Sequence, residues 1–318
     1  MLTSKERFVS ILICILLSII IKLNFFNSKQ IYNENDNDNY NDKNIKEKKQ
    51  INTNSEYYNE DLSLINSKIA DTINYKVVNI FKRKNPTVYT QGLYYHHKTI
   101  YESGGRYKKS TLTNMEWPSQ TIIKKLNLTD KYFAEGIAAS NTNNILYQLT
   151  YKEKEILLYS FPEIEFKNTI KMPSELREGW GMCTGKEEDE FFATDGSDKI
   201  FILKINKDTN ELNVKSFIKV TKNMKPIYRL NELIYDGIYI YCNVYFDNHI
   251  FKINPNNGEV MNVYNMQPLI NYELNNGKLT EDRFNFGDVL NGIVYIPERK
   301  SFILTGKLWD YYYEIIFY

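Results

Sequence analysis

Between residues 75 and 318, apolar positions come in short runs of β-branched and aromatic residues broken by polar turns, and no long stretch holds a 3.6-residue period. TIYESGG (99–105), ILYQLTY (145–151), EFFATDG (190–196), IYIYCNVY (238–245) and SFILTGKLW (301–309) read as strands. EILLYSF, KIFILKI, NHIFKI and YYYEIIF read as the strands that follow four of them. Turn-formers such as Asp195-Gly196-Ser197-Asp198 and Asn254-Pro255-Asn256-Asn257-Gly258 bound these runs. The chain's 26 tyrosines and 17 phenylalanines suit half-buried pleated surfaces.

Ahead of each strand group stands one short phrase. Its copies are Gln91-Gly92-Leu93, Glu135-Gly136-Ile137, Trp180-Gly181-Met182, Asn231-Glu232-Leu233 and Asn291-Gly292-Ile293, and the middle positions are 44, 45, 51 and 60 residues apart. That is the period of a four-stranded blade, so the pattern predicts an all-β, five-bladed propeller over residues 75–318, its first blade completed by Tyr75–Phe81 or by the C-terminal strand. Equivalent starts then place Gln91, Glu135, Trp180, Asn231 and Asn291 in a ring at one end of the central axis. Glu232, next to Asn231, is expected to face the other way, which leaves Glu135 as the one acid of the ring.

The N-terminal part reads differently. Phe8–Ile21 is apolar apart from two serines, follows Lys5 and Arg7, and continues past Lys22 to Phe26 without an obvious cleavage site. Residues 1–26 are therefore expected to form a signal-anchor helix that holds the chain to a membrane of the secretory pathway, with the propeller luminal or extracellular. Residues 27–71, rich in Asn, Asp, Lys and Glu, are expected to be a disordered linker. The sequon Asn127-Leu128-Thr129 is compatible with a luminal domain.

Charge and reactive residues narrow the function. Forty basic and 39 acidic residues give a net charge of +1 and no basic stripe, which argues against nucleic acid as a partner. Cys183 and Cys242 form no metal-binding or disulfide framework. His96 and His97 are adjacent and should point to opposite strand faces, His249 falls in a connecting segment, and GxSxG is absent, so neither a zinc hydrolase nor a Ser-His-Asp triad is indicated.

YTQGL (89–93), YESGGRYKKS (101–110), FAEGI (133–137), QLTY (148–151), EGWGM (178–182), TDGS (194–197), LNEL (230–233), LNGI (290–293) and TGKLW (305–309) together resemble the plant and bacterial type of glutamine cyclotransferase, in the family's order and across 75–318. The resemblance implies a five-bladed propeller that converts an N-terminal glutamine of peptides or proteins into pyroglutamate and releases ammonia, with no metal or other cofactor. It places Glu135 at the general acid/base position. Gln91, Asn231 and Lys307 are candidate donors to the developing oxyanion, and Lys307 could equally be a counter-charge for Glu135. Trp180 with Tyr89, Phe133, Tyr151 and Tyr245 would form the aromatic lining, and Asn291 would complete the substrate site. Tyr151 and Tyr245 stand where relatives often carry tryptophan, Tyr89 where phenylalanine is usual, and GGRYKKS departs from TGxYGxS.

The chemistry needs such a set: the α-amine must lose a proton to attack its own side-chain amide, the departing nitrogen must gain one, and a single carboxylate can do both. Bland readings stand beside it. Glu135 could be a turn residue at its strand start, Asp195 a turn-former, Trp309 plain packing, and the asparagines backbone partners. The competing class is a catalytically inactive propeller that binds peptides on its rim; a lactonase-like metal propeller would be poorly served by Gln91, Trp180 and Lys307.

Overall fold

The computed structural model describes residue 62, residues 65–66 and residues 74–318. The signal-anchor segment and most of the linker lie outside the described residues. Of the stretch expected to be a linker, Ile65 is buried in the core, and Asn66 exchanges two hydrogen bonds with the Val77 backbone at 3.0 and 3.1 Å. Among the described residues no helix is long and apolar enough to cross a membrane.

Five four-stranded antiparallel sheets make five blades. Blade 1 runs from Thr90–His96 through Thr99–Gly104 and Thr111–Glu116 to Ile122–Asn127; blade 2 starts at Ala134–Ser140, blade 3 at Met182–Thr184 and blade 4 at Leu230–Tyr235. Blade 5 consists of Leu290–Ile296, Ser301–Gly306 and Tyr311–Phe317, and its outermost strand is Tyr75–Lys82, paired from Tyr75 with Phe317 to Lys82 with Tyr311. The segment at 75 thus completes the last blade, not the first, and closes the ring by joining the two ends of the domain. It was the apparent incompleteness of blade 1 that misled; its fourth strand is Ile122–Asn127, whose adjacent Ile122 and Ile123 are exposed and give no alternating core pattern.

Neighbouring innermost strands touch all the way round, including blade 5 with blade 1. The recurring glycine explains how they approach. A Cβ on Gly92 would lie 2.9 Å from Gly136 Cα, one on Gly136 would lie 2.3 Å from Met182 N, and one on Gly181 would lie 2.2 Å from Asn231 O. At these three starts only a residue without a side chain lets the strand pack on the next.

In blades 1, 2, 4 and 5 the inner strand carries one extra residue at this phrase, seen as register shifts at Thr90/Gly92, Ala134/Ile137, Leu230/Leu233 and Leu290/Ile293. Such a bulge re-aims the side chain it contains, in blades 1, 2 and 4 toward the axis. Between blades the apolar faces interlock: Tyr147, Leu149 and Leu158 of blade 2, for example, pack against Met182, Phe191 and Leu203 of blade 3, all buried. Each such side chain contributes roughly 1.5–3 kcal/mol.

Between blades 4 and 5, α1, Gln267–Asn276, and α2, Glu281–Asn285, depart from the all-strand expectation. Helix α1 buries Leu269, Ile270, Tyr272 and Glu273. The Glu273 carboxylate accepts from Asp310 N, Tyr311 N and the Tyr313 hydroxyl at 3.0–3.1 Å, which ties the helix to the segment just after Lys307. The histidine expectation also changes: the strand ends at His96, His97 turns left-handed at φ 43°, and the two rings stand 4.1 Å apart. His249 opens a strand of blade 4, and Cys183 and Cys242 are buried free thiols.

Candidate active site

Nine of the ten residues nominated from sequence line one cavity of about 230 Å³ at the axis: Tyr89, Gln91, Phe133, Glu135, Tyr151, Trp180, Asn231, Tyr245 and Lys307. Gln91, Glu135 and Asn231 come from the bulged strand starts of blades 1, 2 and 4. Trp180 precedes the inner strand of blade 3, and Lys307 follows Ser301–Gly306 of blade 5. The blade geometry brings together residues more than 200 positions apart.

Glu135 is 5 % exposed, and its Oε1 accepts from Gln91 Nε2 at 3.1 Å. Burial raises its pKa well above the ordinary carboxylate value, Lys307 opposes the rise, and Glu178 and Glu153 add to it. Lys307 is 3 % exposed and has no carboxylate within 4.0 Å among the described residues. Its ammonium lies 4.6 Å from the centroid of the Tyr245 ring and 5.0 Å from that of Tyr89, so aromatic faces replace part of its hydration. Burial brings its pKa down to about 8, against the pull of Glu135, Asp288 and Glu232. The pocket thus holds one acid and one base whose burial moves their ionisations toward each other.

The walls are aromatic. Phe133 meets Tyr89 and Tyr151 with centroids 6.3 and 5.7 Å away, and Trp180 meets Tyr245 edge-on at 5.8 Å. Trp180 Nε1 donates to Glu178 Oε2 at 3.0 Å, which sets the indole plane. Asn231 Oδ1 is buried and accepts no hydrogen bond from any described residue. A polar atom in that condition inside a cavity is a natural acceptor for a ligand N–H.

Two expectations are corrected. Asn291 does not line the cavity. It is fully buried behind Gln91, donating to Thr90 O at 3.0 Å and to Gln91 Oε1 at 3.2 Å, because its bulge turns it toward the neighbouring strand. Glu232 does not face away from the axis: it occupies the glycine position of its repeat, lies fully buried, and its Oε1 accepts from Leu93 N of blade 1 at 2.9 Å. The bulge reverses the alternation on which the opposite assignment rested.

The sequence pattern missed Arg106 and Asp288. The Arg106 guanidinium sits 4.6 Å over the Tyr89 ring, on Asp288 Oδ1 at 3.5 Å. The departure in GGRYKKS was the one signal pointing to it. Gly105 of that loop permits the arrangement, since a Cβ there would lie 2.5 Å from Phe133 and 2.8 Å from Gln91. The bland readings of Asp195 and Trp309 agree with their surroundings: Asp195 accepts from Ser197 N within its turn, and Trp309 is packed in the core with Nε1 donating to Asp288 O. Among the described residues no three His, Cys, Asp or Glu side chains group as metal ligands.

Fold and pocket define a five-bladed propeller enzyme with its titratable pair enclosed at the axis. The chain belongs to the glutamine cyclotransferase family, whose model matches residues 46–317. It is 25 % identical over 232 residues to the glutaminyl-peptide cyclotransferase of Arabidopsis thaliana, covering 73 % of this chain and 68 % of that one. It is also similar to the crystal structure of Myxococcus xanthus glutaminyl cyclase, with 26 % identity and a TM-score of 0.64 over 76 % of this chain and 96 % of that one.

Proposed function

We propose that this chain cyclises an N-terminal glutamine of peptides or proteins to pyroglutamate, releasing ammonia, with Glu135 as the general acid/base. The observation that carries the reading is one buried carboxylate, Glu135, enclosed with Lys307 by aromatic rings in a cavity sized for a single side chain and amine.

The Glu135 carboxylate takes a proton from the substrate's α-amino group as its nitrogen attacks the side-chain amide carbon. The carbonyl electrons move to oxygen, and the tetrahedral centre collapses as Glu135 returns the proton to the departing nitrogen, which leaves as ammonia. No net proton is consumed, and a carboxyl whose pKa lies above the ordinary range suits both directions of transfer. Such transfer is worth about 10²–10⁴-fold.

Lys307 has two roles in this reading. Its positive charge disfavours a second cation and so holds the substrate amine in its neutral, nucleophilic form. It also faces the negative charge that develops on the amide oxygen, a contribution worth about 10²–10³ for a single well-placed donor. Asn231 Oδ1 accepts a substrate N–H. Trp180, Phe133 and Tyr245 exclude water, which would otherwise hydrolyse the amide to glutamate.

The test is ammonia release from a Gln-initiated dipeptide by the full-length chain, with and without a zinc chelator, beside Glu135→Gln. Chelator-resistant release lost in the variant supports the reading; a folded, inert wild type would instead favour a peptide-binding platform. For Phe8–Ile21 we propose targeting to the secretory pathway and membrane attachment. Asn127 of the sequon is exposed, so its glycosylation in cells reads that placement.

A further inference from the structure

A second cavity, of about 540 Å³, adjoins the first, and Tyr89 lines both. One cation from each cavity stacks on that ring: Lys307 from the smaller, with its Nζ 5.0 Å from the centroid, and Arg106 from the larger, with its guanidinium carbon at 4.6 Å. The lining of the larger cavity concentrates positive charge in a chain whose net charge is only +1. Arg106, Lys109, Lys125, Lys278 and Arg283 line it, against one acid, Asp310.

The acid and both arginines are already engaged, Arg106 with Asp288 Oδ1 at 3.5 Å. Asp310 Oδ2 accepts from Lys278 N at 2.5 Å. Arg283 donates to Asp288 Oδ2 at 2.9 Å, to Lys278 O at 2.6 Å and to Leu308 O at 3.1 Å. The three lysines differ. Lys109, Lys125 and Lys278 are exposed, and among the described residues none has a carboxylate within 4.0 Å. Lys109 comes from the loop before Thr111–Glu116 and Lys125 from Ile122–Asn127, both in blade 1, and Lys278 from the segment between α1 and α2, so they converge only in the fold.

We propose that this cavity receives the second and third residues of the peptide substrate and selects acidic side chains there. The inference rests on the cyclotransferase reading of the smaller pocket. A peptide whose glutamine fills that pocket leaves it past Tyr89, and an extended chain advances about 3.3–3.6 Å per residue, which carries the next two residues into the basic cavity. Exposed ion pairs are individually weak, and three acting together correspond to about a tenfold gain in kcat/KM, carried by KM and screened by salt.

The experiment compares Gln-Glu-Glu, Gln-Ala-Ala and Gln-Lys-Lys amides with the full-length protein, at about 50 mM and about 500 mM salt. The expected kcat/KM ratio of acidic to neutral peptide is about ten at low salt and falls toward one at high salt. In the charge-reversed K109E/K125E/K278E protein the order should invert in favour of Gln-Lys-Lys, a gain that a damaged fold cannot give. Equal rates for the acidic and neutral peptides in the wild type, or a preference that survives charge reversal, would overturn the proposal. Should none of the peptides be cyclised, the cyclotransferase reading fails by itself. Calorimetric Kd values for the same peptides and proteins then read the cavity directly: the same order and inversion support it, and a flat order overturns it.

Discussion

Gln91 Nε2 donates to Glu135 Oε1 at 3.1 Å, and the direction of this bond is fixed from outside the pocket. Asn291 Nδ2 donates both to Thr90 O, a backbone carbonyl that can only accept, and to Gln91 Oε1. Gln91 must therefore present its N–H to Glu135. Oε1 is held as an acceptor, and a proton on the carboxyl sits on Oε2.

Asn291→Ala releases that constraint. Gln91 becomes free to turn its oxygen toward Glu135, which favours the protonated acid. The expected outcome is a kcat lower by about tenfold, the scale of one hydrogen bond to a charged group, with the acid limb of the pH–rate profile moved to higher pH. A purely structural Asn291 would change thermal stability and leave the limb where it is.

Lys307 gives the profile its other side. Activity should rise with pH as Glu135 ionises, above the ordinary carboxylate range, and the contribution of Lys307 should vanish as its ammonium deprotonates near pH 8. The substrate amine titrates in the same region with the opposite sign, so the informative quantity is a ratio. Arg in place of Lys307 keeps its charge throughout, and the wild-type to Lys307→Arg ratio of kcat/KM should fall above about pH 8. A ratio independent of pH would remove Lys307 from the chemistry.

The ring of candidate residues was legible because one short phrase recurs at every blade start, and equivalent positions in a propeller share a location about the axis. What escaped depended on local geometry the phrase does not encode. The bulge at Leu230/Leu233 sends Glu232 across the channel to Leu93 N, and the one at Leu290/Ile293 buries Asn291 behind Gln91, although strand alternation argues otherwise. Helix α1 went unseen because its sequence, QPLINYELNN, is short and places asparagines and an acid among its apolar positions; Glu273 is buried there against backbone amides of another blade. The basic cavity was invisible for the same reason that makes it informative: Lys109, Lys125 and Lys278 are distant in sequence.

The recurring glycine allows a test of the architecture itself. In Gly136→Ala the new Cβ meets backbone atoms of blade 3, with Met182 N at 2.3 Å, and no side chain can move aside. Gly237, at φ +98°, has nothing within 4 Å, so Gly237→Ala carries only the conformational cost of roughly 1 kcal/mol. Gly136→Ala should cost about 3 kcal/mol or more, at or beyond the upper end of ordinary overpacking, and prevent accumulation of folded protein. Circular dichroism melts of the two variants compare them; similar midpoints would mean that the inner strands are less closely opposed than described.

Glu135→Gln separates function from stability. The replacement keeps the shape and an acceptor oxygen for Gln91, and it removes a carboxylate whose burial makes its charged form costly. It also deletes the proton carrier. Ammonia release should fall by about 10²–10⁴-fold, while the thermal midpoint near neutral pH rises or stays level. Removing the negative charge withdraws one of the partners that hold up the Lys307 pKa, so the ammonium of the variant should titrate below the wild-type value of about 8. A lower midpoint together with lost activity would mean that Glu135 chiefly braces the ring, and the acid/base assignment would have to pass to another group in the pocket.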